Sequence, residues 1–325
     1  MKRDVLLVAP IYAPTRERLE SDYTVHRLWE AKDRDAMLAT LADRIEILVT
    51  SGGAGAARGL IERLPRLRLI ACFGVGVDAI DLAAARERSI AVTNTPDVLT
   101  DDVADLAIGL MLAALRGIAA ADRYVRAGRW KQGAMPLQSK VTGKRVGVVG
   151  MGRIGQAIAR RAAAFDMTIA WNGPRAKDVA WRYERNLVAL AGNVDVLIAA
   201  CPGGAATRGL ISRAVLQALG PRGIFVNIAR GSVVDQAALV ELLVKRELGG
   251  AGLDVFDDEP NVPPELLTLD HVVTHGGYHR GNVGQVLKSV SVAPPRDLYT
   301  KFLHVSEPVR RVHGGLEMKV RKQTH

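Results

Sequence analysis

Three glycines carry the first chemistry legible in the chain. In Val146-Gly147-Val148-Val149-Gly150-Met151-Gly152-Arg153-Ile154-Gly155 an aliphatic run feeds a G-x-G-x-x-G spacing, and an Ala-rich stretch comes next. Gly150 permits a tight turn, Gly152 lets backbone approach a pyrophosphate, and Gly155 allows a helix to pack closely on a strand. The helix then begins with unpaired amides and a positive dipole end, which suit an anion. A dinucleotide is the expected ligand, with Met151, Arg153 and Ile154 between the glycines as further contacts. The next aliphatic run ends near Trp171, where an NAD site keeps an acid for the ribose hydroxyl. Here the chain reads Asn172-Gly173-Pro174-Arg175, with no acid until Asp178. Without a carboxylate, nothing repels a 2′-phosphate, and a guanidinium binds one bidentately. Asn172 and Arg175 are therefore candidate cofactor residues, and NADPH is expected ahead of NADH.

Hydride transfer to a 2-keto acid needs a cation for the carboxylate, a proton donor for the carbonyl oxygen, and an acid that tunes the donor. Arg230 follows the run Asn227-Ile228-Ala229, at a strand's carboxyl end, where open α/β sheets bind ligands. Leu253-Asp254-Val255-Phe256-Asp257-Asp258-Glu259-Pro260 places acids after the next strand. His275 is the first candidate acid/base and His279 the second.

These residues need a scaffold, and the pattern supplies one. Aliphatic runs at Val5–Ala9, Ile45–Thr50, Leu69–Phe73, Ala91–Asn94, Arg145–Val149, Thr168–Trp171, Val194–Ala200, Gly223–Ile228, Gly250–Val255 and His271–Thr274 alternate with Ala-rich helical stretches. That alternation predicts βαβ units, and the number of runs suits two doubly wound parallel sheets. A long helix is expected from Thr100-Asp101-Asp102, whose hydroxyl and acids favour its first turn. Val103, Leu106, Ala107, Leu110, Met111, Ala114 and Leu115 continue it, nearly apolar all round, so a domain crossover or a dimer contact is expected to cover its second side.

At 325 residues, 48% hydrophobic and 24% charged, the chain has the composition of a globular protein with room for two domains. No apolar run reaches the ~18 residues of a membrane span, and the start lacks a signal-peptide cleavage pattern. Cys72 and Cys201 lie far apart without metal-ligand spacing, which fits a reduced cytoplasmic protein. The net charge is +10, but +6 of it sits in the last 46 residues. With no basic stripe interleaved with aromatics, nucleic acid is not an expected partner, and neither is a membrane.

With these motifs in this order, joined by Phe73-Gly74-Val75-Gly76-Val77-Asp78, Asn94-Thr95-Pro96 and Gly128-Arg129-Trp130, the chain resembles the D-2-hydroxyacid dehydrogenase family. It is similar to the glyoxylate/hydroxypyruvate reductase and hydroxyphenylpyruvate reductase branch, from about residue 4 to 274. The resemblance implies a flavodoxin-like substrate domain, a Rossmann cofactor domain, and a homodimer built around the 100–120 helix region. It implies the domain division 1–97 plus 282–325 against 98–281, and reduction of a small 2-keto acid to the D-2-hydroxy acid. By position, Arg230 would clamp the substrate carboxylate and polarise its keto oxygen, while Val75 and Gly76 would offer it backbone amides. Glu259 would hold the catalytic histidine protonated. Asp254 would bind the nicotinamide carboxamide, Cys201, Pro202, Thr207, Ile228 and Ala229 would line the cofactor, and Trp130 would reach the neighbouring subunit's site. A nicotinamide-sensing regulator on the same fold is the reading from another class.

The pattern breaks after Thr274. The family places a Pro-His pair there, then small residues, a threonine and an acid, then a long helix. Here the sequence is His275-Gly276-Gly277-Tyr278-His279-Arg280-Gly281-Asn282, and Pro294-Pro295, Pro308 and Gly314-Gly315 interrupt the remainder of the chain. The stretch around Gly276 to Asn282, begun within the His275 codon, can be back-translated so that a neighbouring reading frame gives Thr-Ala-Ala-Ile-Thr-Glu-Glu-Thr, the string expected after the family's histidine. A tail read out of frame would leave the protein without the usual histidine and impair activity.

Overall fold

The computed structural model describes residues 2–275. His279, the tail assigned to the first domain, and the stretch 276–282 with its alternative reading frame lie outside the described residues. Among the described residues, twelve strands run in the order β1 (Asp4–Leu7), β2 (Thr24–Arg27), β3 (Ile47–Ser51), β4 (Leu69–Phe73), β5 (Ala91–Thr93), β6 (Arg145–Val149), β7 (Thr168–Asn172), β8 (Arg182–Tyr183), β9 (Val196–Ala199), β10 (Ile224–Asn227), β11 (Gly250–Leu253) and β12 (Val272–Thr274). They form two sheets, β2-β1-β3-β4-β5 and β12-β11-β10-β9-β6-β7-β8, and every pairing is parallel. The two-sheet α/β architecture expected from the sequence is the one observed.

The first order is flavodoxin-like, and the second is the dinucleotide-binding order with one added edge strand. Both reverse direction at an inner pair, β1/β3 and β6/β9. Such switch points open a crevice beyond the strands' carboxyl ends, where ligands bind. The central strands are aliphatic because helices cover both faces: Val146, Val148, Leu197, Ile198, Phe225 and Val226 are all fully buried.

The Thr100–Arg116 helix joins the two sheets and is buried on more than one side. It packs on the Arg153–Ala163 helix and on β10 and β11, all within the larger lobe. A Cβ on Gly252 of β11 would stand 2.9 Å from Leu110 Cβ, so the helix lies close against the sheet. Its start differs from expectation. Leu99 is the N-cap and no side chain caps the first turn, whereas Asp101 and Asp105 both pair with Arg161 of the neighbouring helix. Thr100 is helical already, one position too late to cap. No single helix among the described residues is long and apolar enough to cross a membrane.

Candidate active site

The glycine motif forms the turn its spacing predicts. Gly150 follows β6 with φ +100°, and a Cβ there would lie 2.7 Å from Cys201 Cα, so the β6 and β9 turns touch at the switch point. A Cβ on Gly155 would stand 2.1 Å from the Gly150 carbonyl oxygen, which ties the Arg153–Ala163 helix to the turn. Gly152, the helix N-cap, faces open space, and no side chain caps its amides. A bare backbone at an uncapped helix start at the strands' carboxyl ends fits a pyrophosphate. Lys177 Nζ donates to the Met151 carbonyl at 2.9 Å and braces the loop.

Around this cradle stand the other predicted cofactor residues. Cys201, Ile228 and Ala229 are buried, Pro202 is exposed, and Thr207 Oγ1 donates to the Pro202 carbonyl at 2.7 Å. Burial pushes the Cys201 thiol up to about 11. Arg153 pairs with Asp97 at 3.0 Å, both largely exposed. Arg175 is exposed and makes no ion pair among the described residues. Asn172 is buried, and its amide donates to the carbonyls of Glu184 and Arg185, so both its N–H groups hold the β8 edge in place.

On the facing side, the loop after β4 presents Val75 and Gly76. Asn94 Nδ2 donates to the Val75 carbonyl at 2.8 Å, and Thr95 Oγ1 accepts from the Gly74 amide at 3.1 Å. The Asn94-Thr95-Pro96 segment thus props this loop. No acceptor among the described residues takes the Val75 and Gly76 amides. Arg230, just past β10, reaches across from the larger lobe to this loop. Its Nη2 and Nε donate to the two Asp78 carboxylate oxygens at 3.0 and 3.1 Å, and its Nη1 donates to the Ala229 carbonyl at 2.8 Å.

His275 follows β12, and its amide donates to the Leu253 carbonyl at 2.7 Å. That parallel step sets the imidazole beside the residue after β11, and its Nδ1 lies 2.8 Å from Asp254 Oδ1. The carboxylate partner of this histidine is therefore Asp254. Glu259, expected in that place, accepts from the Phe256 amide at 3.0 Å instead. The physical reason is register: Leu253 lies opposite Thr274, so the residues that follow them, Asp254 and His275, fall side by side. Sequence reading also gave no role to Asp78, Gly52 or Gly203, which surround Arg230; the Gly52-Gly53 pair after β3 was the available signal.

The residues gathered here come from the carboxyl ends of β4, β6, β9, β10, β11 and β12, as a cleft holding a dinucleotide and a small anion requires. The sequence profile described as "D-isomer specific 2-hydroxyacid dehydrogenase, NAD binding domain" matches residues 108–276. Glyoxylate/hydroxypyruvate reductase A of Arabidopsis thaliana is 47% identical over 270 residues, covering 83% of this chain and 86% of that one. Hydroxyphenylpyruvate reductase of Plectranthus scutellarioides is 46% identical with the same coverage. Among solved structures, an NADPH-dependent glyoxylate/hydroxypyruvate reductase from Sinorhizobium meliloti in complex with NADP and malonate superimposes with a TM-score of 0.79. It is 41% identical and covers 85% of this chain and 86% of that one. The chain belongs to the D-isomer-specific 2-hydroxyacid dehydrogenase family.

Proposed function

We propose that this chain reduces a small 2-keto acid of the glyoxylate/hydroxypyruvate kind to the D-2-hydroxy acid, with NADPH preferred and NADH as the alternative. The observation that carries the reading is Arg230, a guanidinium with unspent donors held at the carboxyl end of β10, in the same cleft as the uncapped glycine turn. When bound, the reduced nicotinamide supplies the hydride. Gly150, Met151, Gly152, Arg153, Ile154 and Gly155 hold the pyrophosphate. Arg175 meets the 2′-phosphate, and Cys201, Pro202, Thr207, Ile228 and Ala229 line the remainder. The two N–H groups of Asn172 are engaged with backbone, so its part in the site is to shape the turn that carries Arg175.

Arg230 grips the substrate carboxylate and polarises the keto oxygen, and the Val75 and Gly76 amides complete the grip. His275 gives the proton. Asp254, on Nδ1, selects the tautomer and leaves Nε2 to face the cleft. Asp254, the residue that would hold the nicotinamide carboxamide, would share its carboxylate between that group and His275. Glu259 shapes the loop from Phe256.

The division 1–97 plus 282–325 against 98–281 is proposed alongside, and so is a homodimer through the 100–120 region. Exposed Ile118, Val125, Trp130 and Leu137 beyond the long helix favour that dimer.

Loss of reduced-nicotinamide absorbance with glyoxylate and with hydroxypyruvate tests the function. The full chain is expected to turn over, faster with NADPH than NADH, and Arg230→Ala is expected to lose roughly a hundredfold to a thousandfold in kcat/KM. A protein that binds NADPH and turns over neither acid is a sensor, and the reading fails. Undiminished activity in Arg230→Ala removes the carboxylate grip.

A further inference from the structure

We propose that Asp78 is a positioning residue for Arg230, aiming one edge of its guanidinium into the cleft from the opposite lobe; this rests on the reading of Arg230 as the substrate's anchor. A guanidinium carries five N–H donors. Asp78 takes two, on Nε and Nη2, and the Ala229 carbonyl takes a third on Nη1. The two left over are one on each Nη, the pair that meets a carboxylate or a carboxylate and its neighbouring keto oxygen side by side.

The surroundings are shaped for this pair. A Cβ on Gly76 would fall 1.8 Å from Arg230 Nη2. One on Gly203 would fall 2.6 Å from Asp78 Oδ2 and 2.7 Å from Arg230 Cγ. One on Gly52 would come within 2.9 Å of the Gly76 carbonyl oxygen and 3.6 Å of Nη2. Loops after β3, β4 and β9 all omit a side chain where the guanidinium and its partner meet. A solvated surface ion pair needs no such seat, and the Asp78 side chain is only 18% exposed.

Electrostatics makes the arrangement informative. A carboxylate beside an anion-binding arginine weakens the attraction for the substrate, so charge alone argues against Asp78. Its return is orientation, since a long flexible cation is held with its free edge forward. The pair also joins the β4 loop of the smaller lobe to the β10 loop of the larger, so the anchor is aimed only while the lobes are together.

The test compares Asp78→Ala and Asp78→Asn in the full chain. Keto-acid kinetics, NADPH affinity, and calorimetric affinity for oxalate, a non-reducible anion of the substrate's kind, are measured for each. For Asp78→Ala, kcat is expected to fall about tenfold to a hundredfold, and keto-acid KM and oxalate Kd to rise. NADPH affinity should stay the same because its cradle is untouched. Asn, which keeps one acceptor for the guanidinium, should restore part of the loss. Wild-type kinetics in Asp78→Ala, or tighter oxalate and keto-acid binding, overturns the proposal, the latter by showing a merely repelling charge. Equal loss of NADPH affinity and thermal stability in both variants overturns it too, as a structural staple. If the wild-type chain reduces no keto acid, the proposed function fails, and the oxalate affinities alone decide the role of Asp78.

Discussion

Cys201 lies against the Gly150 turn, in the wall that the cofactor is proposed to touch, yet it is built to stay a thiol. Burial among apolar neighbours pushes it up to about 11, and Cys72 under the Gly76 loop is also raised by burial. Only the thiolate is nucleophilic. At pH 8 the native Cys201 therefore carries at least about a hundredfold less thiolate than an ordinary cysteine. Iodoacetamide at that pH should leave the folded protein unlabelled by intact mass while denatured protein takes up two equivalents. Rapid uptake of one equivalent by the native chain would show that the wall opens. A similar economy of atoms marks the imidazole. His275 spends Nδ1 on Asp254 and its backbone amide on Leu253, so Nε2 is the atom left for proton exchange.

The strand ends at the switch point are pinned by charge as well as by the ladder. Asp195, just before β9, accepts from the Arg145 backbone amide at 2.8 Å and from its Nη2 at 3.0 Å, while its own amide donates to the Arg145 carbonyl at 2.8 Å. The Arg145 side-chain bond, reinforced by the backbone amide, holds the Asp195 carboxyl below the usual carboxylate range against a smaller push from burial. A depressed folded-state value means stability that is present above the unfolded value, about 3.9, and lost as pH falls through the folded one. Asp195→Asn should therefore lower unfolding stability by about 1 kcal/mol at pH 7, a modest figure because Arg145 is half exposed. In urea titrations the gap to wild type should close once pH drops well below 4, roughly the unfolded value; a gap that persists in acid would assign the loss to packing. At this scale the sequence was most readable. The central strands stand out because both faces are covered and their interior residues are apolar. The two strands with no aliphatic run, β2 (Thr-Val-His-Arg) and β8 (Arg-Tyr), are sheet edges that face solvent and carry polar side chains. The glycine turn was legible because its geometry is local. Asp78 meeting Arg230 was not, since the partners are 152 positions apart and only the closed pair of lobes joins them.

At the scale of the whole chain, the family profile marks a boundary in the sequence. The profile match stops at 276. Beyond that point the sequence changes character: +6 of the net +10 falls in the last 46 residues, with paired prolines and paired glycines in place of helical periodicity. A family segment read in a displaced frame accounts for all of these at once, because it changes composition abruptly while leaving upstream motifs intact. The expected outcome is read from the coding DNA. Past codon 274, a neighbouring frame should continue as Thr-Ala-Ala-Ile-Thr-Glu-Glu-Thr and then as an amphipathic helix without an early stop. A chain rebuilt with the family's Pro-His pair ahead of that string would carry the histidine that the resemblance pairs with Glu259, and would free Asp254 for the nicotinamide carboxamide. NADPH affinity, set by the Gly150 turn, should then change little between the two chains, while turnover rises in the rebuilt one. Coding DNA with no family-like string in either other frame would reject the displacement and leave His275 with Asp254 as the pair this chain uses.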